Sequence, residues 1–502
     1  MTVTTAAAGD LGIVIRMLAA GPSELAFVAA AAAGRDGVVA AVVGEESVLV
    51  LFREPLPGGE GGREAAAIAA RAGSGVRAEA EQDRHPIEVS FSPENAPDLP
   101  LLLAAAGIDR SRFLEQIRTI VFRARFLGFR PGFAYLEGLP PAWRLPRRAT
   151  PRSSIPSGSF ALAGAMAAFY PGESPGGWNL IGRTDEPLWD PDADPPNRIA
   201  AGDEVVIVPV ERRLAPRPPT RPDLAGGPPI AVVLAAGTAA FAVGRARPER
   251  LGWGLSAGGA FDSEAAAMAN RNVGNPEEAV AIECALSGPR LRFETGARAS
   301  WCGARAEISV DGREIGDPRV FTIGAGSLLE VGALLGGARG VLAIAGGVRD
   351  RTPRSLPLPF RRGDPVESAS LAIGPAHIRA LRRFAPREIV ALAGPDPVRA
   401  AWLELIEAEE WEVSPRSDRA AVRLRSGRKA EGIPPSLPSA GMQFGTVQWH
   451  PDGDLVAMGP DHPVTGGYLQ PLTVPSTERW KLAQLRPGDR IRWRVVPPPQ
   501  YA

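Results

Sequence analysis

The sequence predicts a mainly β protein with some α (an α+β chain), in which turn-rich β modules are repeated behind a small α+β unit. Three observations carry this. Glycine and proline are abundant, 57 and 51 of 502 residues, as folds with many turns require. A strand-opening unit closes each half of the chain: Gly202-Asp203-Glu204-Val205-Val206-Ile207-Val208 in the first and Gly488-Asp489-Arg490-Ile491-Arg492-Trp493-Arg494-Val495 in the second. A Gly-Gly-aromatic loop also occurs once in each half, Ser174-Pro175-Gly176-Gly177-Trp178 and Thr465-Gly466-Gly467-Tyr468. Paired glycines reach backbone conformations closed to other residues and admit close neighbours, and the aromatic adds a rigid wall. Such loops are either tight turns plugged by a buried ring, or walls of two related sites or of one shared site.

Alanine-rich stretches at 12–34 and 63–72 suggest helix, and Val38–Phe52 (VVAAVVGEESVLVLF) reads as a hairpin, so residues 1–90 form a small α+β subdomain. Residues 96–118 hold a helix or two, with Phe113, Leu114 and Ile117 at helical spacing, within a β module spanning 91–210. Residues 211–229 (ERRLAPRPPTRPDLAGGPP) have no apolar period and should be an extended linker. Two further β subdomains follow, 230–385 and 386–502. Within the first, Asp262 caps a helix that Gly274-Asn275-Pro276 ends. Weaker echoes of the strand-opening unit lie at Ile323–Val331 and Arg362-Gly363-Asp364. In Arg490–Val495 arginines alternate with Ile491, Trp493 and Val495, the pattern of a half-buried strand.

Composition excludes several classes of function. Formal net charge is zero, tyrosines number four, and no basic block stands out, which argues against a nucleic-acid surface. No apolar run is long enough to span a bilayer and residues 1–10 lack the pattern of a secretory signal, so the expectation is a cytoplasmic protein without a membrane partner. Cys284 and Cys302 form no CxxC, and His85, His377, His450 and His462 form no ligand pair, so no residue is assigned to a metal. The two lysines, Lys429 and Lys481, stand in no Walker-A loop and neither lies between methionines as a biotinylated lysine would. Anions would therefore be held by guanidinium forks or backbone amides.

The segments FLGFRPGFAYLEGLP (126–140), RRATPRSSIPSGSFALAGAMAAFYPGESPGGWNLIGRT (147–184) and LWDP (188–191) resemble the B-type component of bacterial ATP-dependent 5-oxoprolinase, the KipI or allophanate hydrolase subunit 1 family. GLSAGGAFDSEAAAMANRNVGNPEEAVAIECALSGPRLRF (254–293), LAIAGGV (342–348) and DHPVTGGYLQPLTV (461–474) resemble its C-type component, the KipA or allophanate hydrolase subunit 2 family. The order is that of a B–C fusion, divergent in places. The resemblance implies tandem cyclophilin-like β-barrels, ATP with Mg2+ as cofactor and no protein-bound biotin. It also implies ATP-driven opening of the 5-oxoproline lactam to glutamate with a separate LamB/YcsF-type subunit. Related modules form the carboxyltransferase part of urea carboxylase, and KipI-type members act as sensor-kinase inhibitors. Both remain alternatives, and the oligomeric state stays open.

A lactam is a stable amide, and phosphorylating its oxygen creates a leaving group, which needs phosphate binding, charge stabilisation and an activated water. Arg152, Arg183, Gly176 and Gly177 are the phosphate-binding candidates of the first half, with Tyr135 and Trp178 as pocket walls. In the second half Asp262, Glu283, Asp418 and Asp461 are the catalytic candidates, and Arg419, Thr465, Gly466, Gly467 and Tyr468 the binding candidates. Each has a plainer structural alternative: Asp262 a helix cap, Glu283 an outward strand residue, Asp418-Arg419 a local ion pair, Asp461 a turn brace, Arg183 a bridge between loops. Two departures from the family pattern bear on activity. Arg118 stands where the B-type component has a histidine, and an arginine cannot shuttle protons near neutrality. The Gly-rich loop of the C-type component is missing after Val348.

Overall fold

Two strands near the start, Gly12–Leu18 (GIVIRML) and Ser47–Phe52 (SVLVLF), are apolar at almost every position, the pattern of a sheet covered on both faces. In the computed structural model, which describes residues 2–55, 67–68, 83–191, 193–211, 214, 229–316, 319–351, 357–428, 431–434 and 436–497, this is what they form. Strands β1 (Thr2–Ala8), β2 (Gly12–Leu18), β3 (Val38–Val43) and β4 (Ser47–Phe52) make an antiparallel sheet in the order β1-β2-β4-β3. Ile13, Ile15, Met17, Val48 and Val50 pack on helix α1 (Pro22–Ala33) and on Phe126. Val14, Leu49 and Leu51 on the other face pack on Leu251 and Val464 of the second half. The expected hairpin is present, with Val43 opposite Val48. The helix expected over 12–34 is corrected in its first third, since β-branched Ile13, Val14 and Ile15 favour the strand. The helix expected at 63–72, apart from 67–68, lies outside the described residues, as does the linker apart from Glu211, Leu214 and Pro229.

The first closed barrel contains β5 (Arg84–Ser90), β6 (Val121–Leu127), β7 (Ala134–Glu137), β9 (Ser159–Ala163), β10 (Met166–Phe169), β12 (Asn179–Arg183) and β13 (Glu204–Val210). Outside it, β8 (Arg152–Ile155) pairs with β11 (Ser174–Gly176). Helices α2 (Leu99–Ala106) and α3 (Arg110–Thr119) close the barrel's core, where Leu99, Leu102, Phe113 and Ile117 meet Trp143.

A ten-stranded sheet follows, holding β14 (Pro229–Ala235), β15 (Ala239–Val243), β16 (Ala281–Ala285), β17 (Arg290–Phe293), β18 (Ala297–Val310), β19 (Arg313–Glu314), β20 (Val320–Ile323), β21 (Leu328–Ile344), β22 (Pro365–Glu367) and β23 (Arg382–Arg383). Helix α4 (Ser263–Val273) lies on it through Ala265, Ala269 and Val273, one helical face of small residues that lets helix and sheet approach closely. Asp262 caps α4 by accepting from the amide of Ala265 at 3.0 Å, as expected.

The second closed barrel contains β24 (Glu388–Ala393), β25 (Trp411–Val413), β26 (Ala421–Arg425), β28 (Thr446–Trp449), β29 (Leu455–Met458), β31 (Leu469–Thr473) and β32 (Arg490–Val496), with β27 (Ala440–Gly441) and β30 (Thr465–Gly466) paired outside it. Helices α5 (Ala400–Ala408) and α6 (Arg479–Ala483) flank it. In both barrels, ranking the strands by chain position, the closed order is first, sixth, fourth, fifth, third, second, seventh. Each closes through a parallel pair between its first and last strands, β5 with β13 and β24 with β32. Those last strands are the two that the Gly-Asp units open. The fold is thus mainly β with tandem barrel modules behind a small α+β unit.

Candidate functional site

The Gly-Gly-aromatic loops occupy the same place in the two barrels, each joining the outer short strand (β11 or β30) to the sixth barrel strand (β12 or β31). Each is braced by a buried aspartate. Asp98 accepts from the amide of Leu180 at 2.7 Å, and Asp396 from that of Gln470 at 2.6 Å; both amides lie two residues beyond the aromatic. Asp98 also binds Arg152 Nη2 at 2.9 Å and Arg148 Nη1 at 3.2 Å. Asp396 binds Arg16 of the N-terminal sheet, which also donates to the carbonyl of Pro395 at 3.1 Å. Neither aspartate stands out in the sequence; the repeated loop geometry is the signal that finds them.

Both loops are packed by the chain itself. A Cβ on Gly176 would sit 2.5 Å from the Tyr170 hydroxyl, and one on Gly467 would sit 2.8 Å from the Leu437 carbonyl. Trp178 is buried against Phe133 and Tyr135, and burial pushes the Tyr135 hydroxyl up to about 12. Arg183 donates from Nε to the carbonyl of Ser157 at 2.9 Å, bridging two loops. Tyr468 stacks on His450 with 4.1 Å between centroids. The loops of the two halves nevertheless meet: Thr465 Oγ1 donates to the carbonyl of Leu127 at 3.3 Å, and a Cβ on Gly128 would lie 1.9 Å from that oxygen.

Three of the four predicted carboxylates join one buried network. Glu283 is fully buried and takes hydrogen bonds from the amide of Phe261 at 2.6 Å, from Arg339 Nη1 at 3.4 Å, and from Arg419. Arg419 also donates to Asp461 (Nε to Oδ2, 2.7 Å; Nη2 to Oδ1, 3.1 Å) and to the carbonyl of Gly259 at 2.7 Å. Burial opposes its charge, but Glu283 and Asp461 together hold its pKa above the ordinary arginine value. Asp262 receives Arg383 Nε at 3.1 Å and Gln484 Nε2 at 3.0 Å, while Gln484 Oε1 accepts the amide of Arg339 at 3.2 Å. Burial raises the Asp262 and Asp461 carboxyls against the pull of these arginines. The network ties the ten-stranded sheet to the second barrel. Asp418 is exposed and outside it, closing a turn by accepting from the amides of Ala420 and Ala421 at 2.8 and 3.0 Å. Arg339, Arg383 and Gln484 carry no local sequence signal.

Above this network a cleft opens that the sequence does not announce. Arg245, Arg247 and Arg250 line it, with Gly258 and Gly259 of the loop before α4. Among the described residues no three His, Cys, Asp or Glu side chains gather as a metal site. No helix among them is long and apolar enough to cross a membrane. Arg118 is exposed at the C-terminal end of α3.

Fold and site together define a carboxyltransferase-type protein with duplicated barrels. The family described as "Carboxyltransferase domain, subdomain C and D" matches residues 8–199, and "Carboxyltransferase domain, subdomain A and B" matches 253–356 and 362–495. The chain belongs to this carboxyltransferase-domain family, with its C and D subdomains ahead of A and B. The first half is similar to the B-type component of 5-oxoprolinase from Escherichia coli O157:H7, 40% identical over 123 residues, 24% of this chain and 56% of the relative. The chain thus spans little more than half the length of that relative. The second half is similar to the C-type component of 5-oxoprolinase from Haemophilus influenzae, 26% identical over 264 residues, 49% of this chain and 84% of the relative. It is also similar to a putative urea carboxylase of Emericella nidulans, 26% identical over 279 residues, 49% of this chain and 22% of the relative. A crystal structure of TTHA0988 matches almost throughout, with a TM-score of 0.81 and 26% identity over 96% of this chain and 99% of that one. A B-type half and a C-type half therefore stand in one chain.

Proposed function

We propose that this chain is the joined B- and C-type component of an ATP-dependent hydrolase that opens a cyclic amide, converting 5-oxoproline, ATP and water to glutamate, ADP and phosphate. The enzyme is completed by a separate LamB/YcsF-type subunit, and the work takes place in the cytoplasm, where ATP is supplied. The observation that carries the reading is the meeting of the two halves at their signature loops, Gly128 against Thr465. Two halves with the likeness of two components of one enzyme are thereby held as one working unit. With Lys481 already paired to Glu478 at 2.6 Å, arginines are the natural partners for phosphate among the described residues. Asp262, Glu283 and Asp461 are each neutralised by arginine and do not fit a resident magnesium; no step is assigned to one. The test is ADP release by the purified chain with 5-oxoproline, with and without the LamB/YcsF-type protein. Stimulation by 5-oxoproline in the complete mixture supports the reading, and its absence in both mixtures sinks it in favour of a KipI-like binding protein.

The likeness of the second half to urea carboxylase favours a second reading, carboxyl transfer from carboxybiotin on a separate carrier protein. Loss of carboxyl from a carboxylated carrier, dependent on this chain and on an amide acceptor, would establish it instead.

A further inference from the structure

Phenylalanine stands where glycine would fit best in the hairpin between β6 and β7, Gly128-Phe129-Arg130-Pro131-Gly132-Phe133. The amide of Arg130 donates to the carbonyl of Gly128 at 2.6 Å across Phe129, whose φ is +62°. This is a γ-turn of the rare, strained hand, and a bulky residue there is an outlier. The amide of Phe133 then donates to the carbonyl of Arg130 at 3.0 Å around Pro131 and left-handed Gly132, the residues of a type II turn. The Gly128 amide donates to the Phe133 carbonyl at 3.2 Å and closes the hairpin. The Phe129 ring is 42% exposed, whereas that of Phe133 is buried. A glycine would make the γ-turn without strain, so the backbone does not account for the ring, and burial accounts for only part of it. Strain of this kind gathers at ligand-binding positions.

Phe133 and Tyr170 meet the Phe129 ring at steep angles, 74° and 84°, with centroids 5.2 and 6.2 Å away. No ring among the described residues stacks parallel to it. Tyr170 leads from this ring to a cation. Burial raises the Tyr170 and Tyr135 hydroxyls, and the nearby charge of Arg147 pulls both back. Arg147 is exposed and has no hydrogen bond or ion pair among the described residues. Its neighbours are engaged: Arg148 and Arg152 bind Asp98, Arg183 the Ser157 carbonyl, and Arg130 the Glu173 carbonyl at 2.6 Å. An open ring and an unengaged guanidinium suit a ligand with a flat ring at one end and negative charge at the other. Aromatic side chains take any base by stacking, and guanidinium groups match phosphate. Phe129 also follows Gly128, the residue pressed against Thr465, so such a ligand would lie at the seam of the two halves.

We infer that Phe129 is a stacking platform for the base of a nucleoside triphosphate whose phosphates reach Arg147. The choice of ATP as probe rests on the function proposed above. Binding of MgATP, adenosine and inorganic triphosphate to the full chain is measured by calorimetry. The same titrations are run on Phe129→Gly, which deletes the ring and relieves the turn, on Phe129→Tyr, which keeps the ring, and on Arg147→Met. Thermal unfolding of each variant checks the fold, and exposed Arg147 carries the test if Phe129→Gly does not fold. MgATP should bind roughly fivefold or more weakly to Phe129→Gly, the low end of the loss when a stacked base loses its aromatic partner. Phe129→Tyr should retain the wild-type affinity. Adenosine should lose affinity in Phe129→Gly alone and triphosphate in Arg147→Met alone. The unfolding midpoint of Phe129→Gly should stay at or above that of wild type. Equal MgATP binding by wild type, Phe129→Gly and Arg147→Met, or none by wild type, would overturn the site. A lower midpoint with MgATP binding intact would make the ring a packing element. Unchanged MgATP binding with ADP release lost only when the LamB/YcsF-type protein is present would make Phe129 a protein contact and overturn the assignment. MgATP binding that depends on Phe129, without ADP release, removes the proposed reaction and leaves the site standing; ADP release insensitive to Phe129→Gly does the reverse.

Discussion

Arg419 shows how side chains with the look of catalysts can be occupied holding one another. Its guanidinium is spent on Asp461, Glu283 and the Gly259 carbonyl. Glu283 and Asp461 are thus counter-charges first, and removing one leaves a buried cation under-compensated. Glu283→Gln keeps the shape but deletes the charge that both Arg419 and Arg339 face. Breaking a buried pair from one side costs about 3–5 kcal/mol. Urea unfolding of this variant should show a loss of that size, and a change below about 1 kcal/mol would mean the cluster is wet and adaptable. His462 offers a pH test at the same scale. Its Nδ1 is 2.7 Å from the carbonyl of Pro463, the ring is buried, and burial lowers its pKa from 6.5 to about 4. A depressed histidine pKa means the unfolded chain binds the extra proton first, so stability is lost as pH falls from about 6.5 toward 4. Asp262 and Asp461, whose pKa values are raised, slope the other way, so the measurement is a difference. The wild-type curve should fall more steeply over that window than the curve of His462→Asn. Residue types pointed to Glu283, Arg419 and Asp461, but not to their mutual bonding, because Arg419 reaches 136 residues back to Glu283 and 42 ahead to Asp461.

At the scale of elements, legibility followed the number of faces an element buries. Strand β32 alternates exposed and buried positions, so its arginines and its Ile491 and Trp493 announce a strand. Strands β2 and β4 are buried on both faces and show no alternation; only their β-branched content separates them from helix, and alanines nearby pulled β2 the wrong way. The Gly-Gly-aromatic loops were visible because glycine pairs are rare in regular structure, yet their braces were not. Asp98 follows β5 across a turn and Asp396 follows β24 in Gly394-Pro395-Asp396; both stand directly after a proline, but Pro-Asp also occurs at 451–452 and 460–461 and so does not single them out. The two braces should differ in consequence. Asp98 is tied to Arg148 and Arg152 within its own barrel, whereas Asp396 is tied to Arg16 in the N-terminal sheet. Asp396→Asn should therefore increase hydrogen exchange in β1 and β2 as well as in the second loop. Asp98→Asn should leave β1 and β2 protected and loosen only residues 174–184. Identical exchange patterns from the two variants would contradict this division.

For the molecule as a whole, the question is whether the two halves act as one body. The N-terminal sheet belongs in sequence to the first half, but it buries one face against Leu251 and Val464 of the second. Asp10 accepts from Ser476 Oγ at 2.5 Å, Asn197 donates to the carbonyl of Trp253 at 2.9 Å, and Glu45 and Ser439 exchange hydrogen bonds. The halves therefore join across a polar and apolar seam as well as through the chain between them. Gly128 is the point where this seam meets the signature loops. A Cβ there would stand 1.9 Å from Thr465 Oγ1 but 3.2 Å from Thr465 Cβ, so the hydroxyl is the main obstacle. Gly128→Ala should cost about 1–3 kcal/mol of stability, the usual range for forcing an extra carbon into a packed site. Thr465→Ala removes the obstructing oxygen, at the smaller cost of its hydrogen bond to Leu127. The double variant should then recover most of the loss, with a coupling of about 0.5–3 kcal/mol as found for residues in contact. Simple additivity in thermal unfolding would mean that the loops do not touch in solution. If ADP release is lost in Gly128→Ala and returns in the double variant, the seam itself is what makes the two halves competent, because neither substitution adds or removes a charged group.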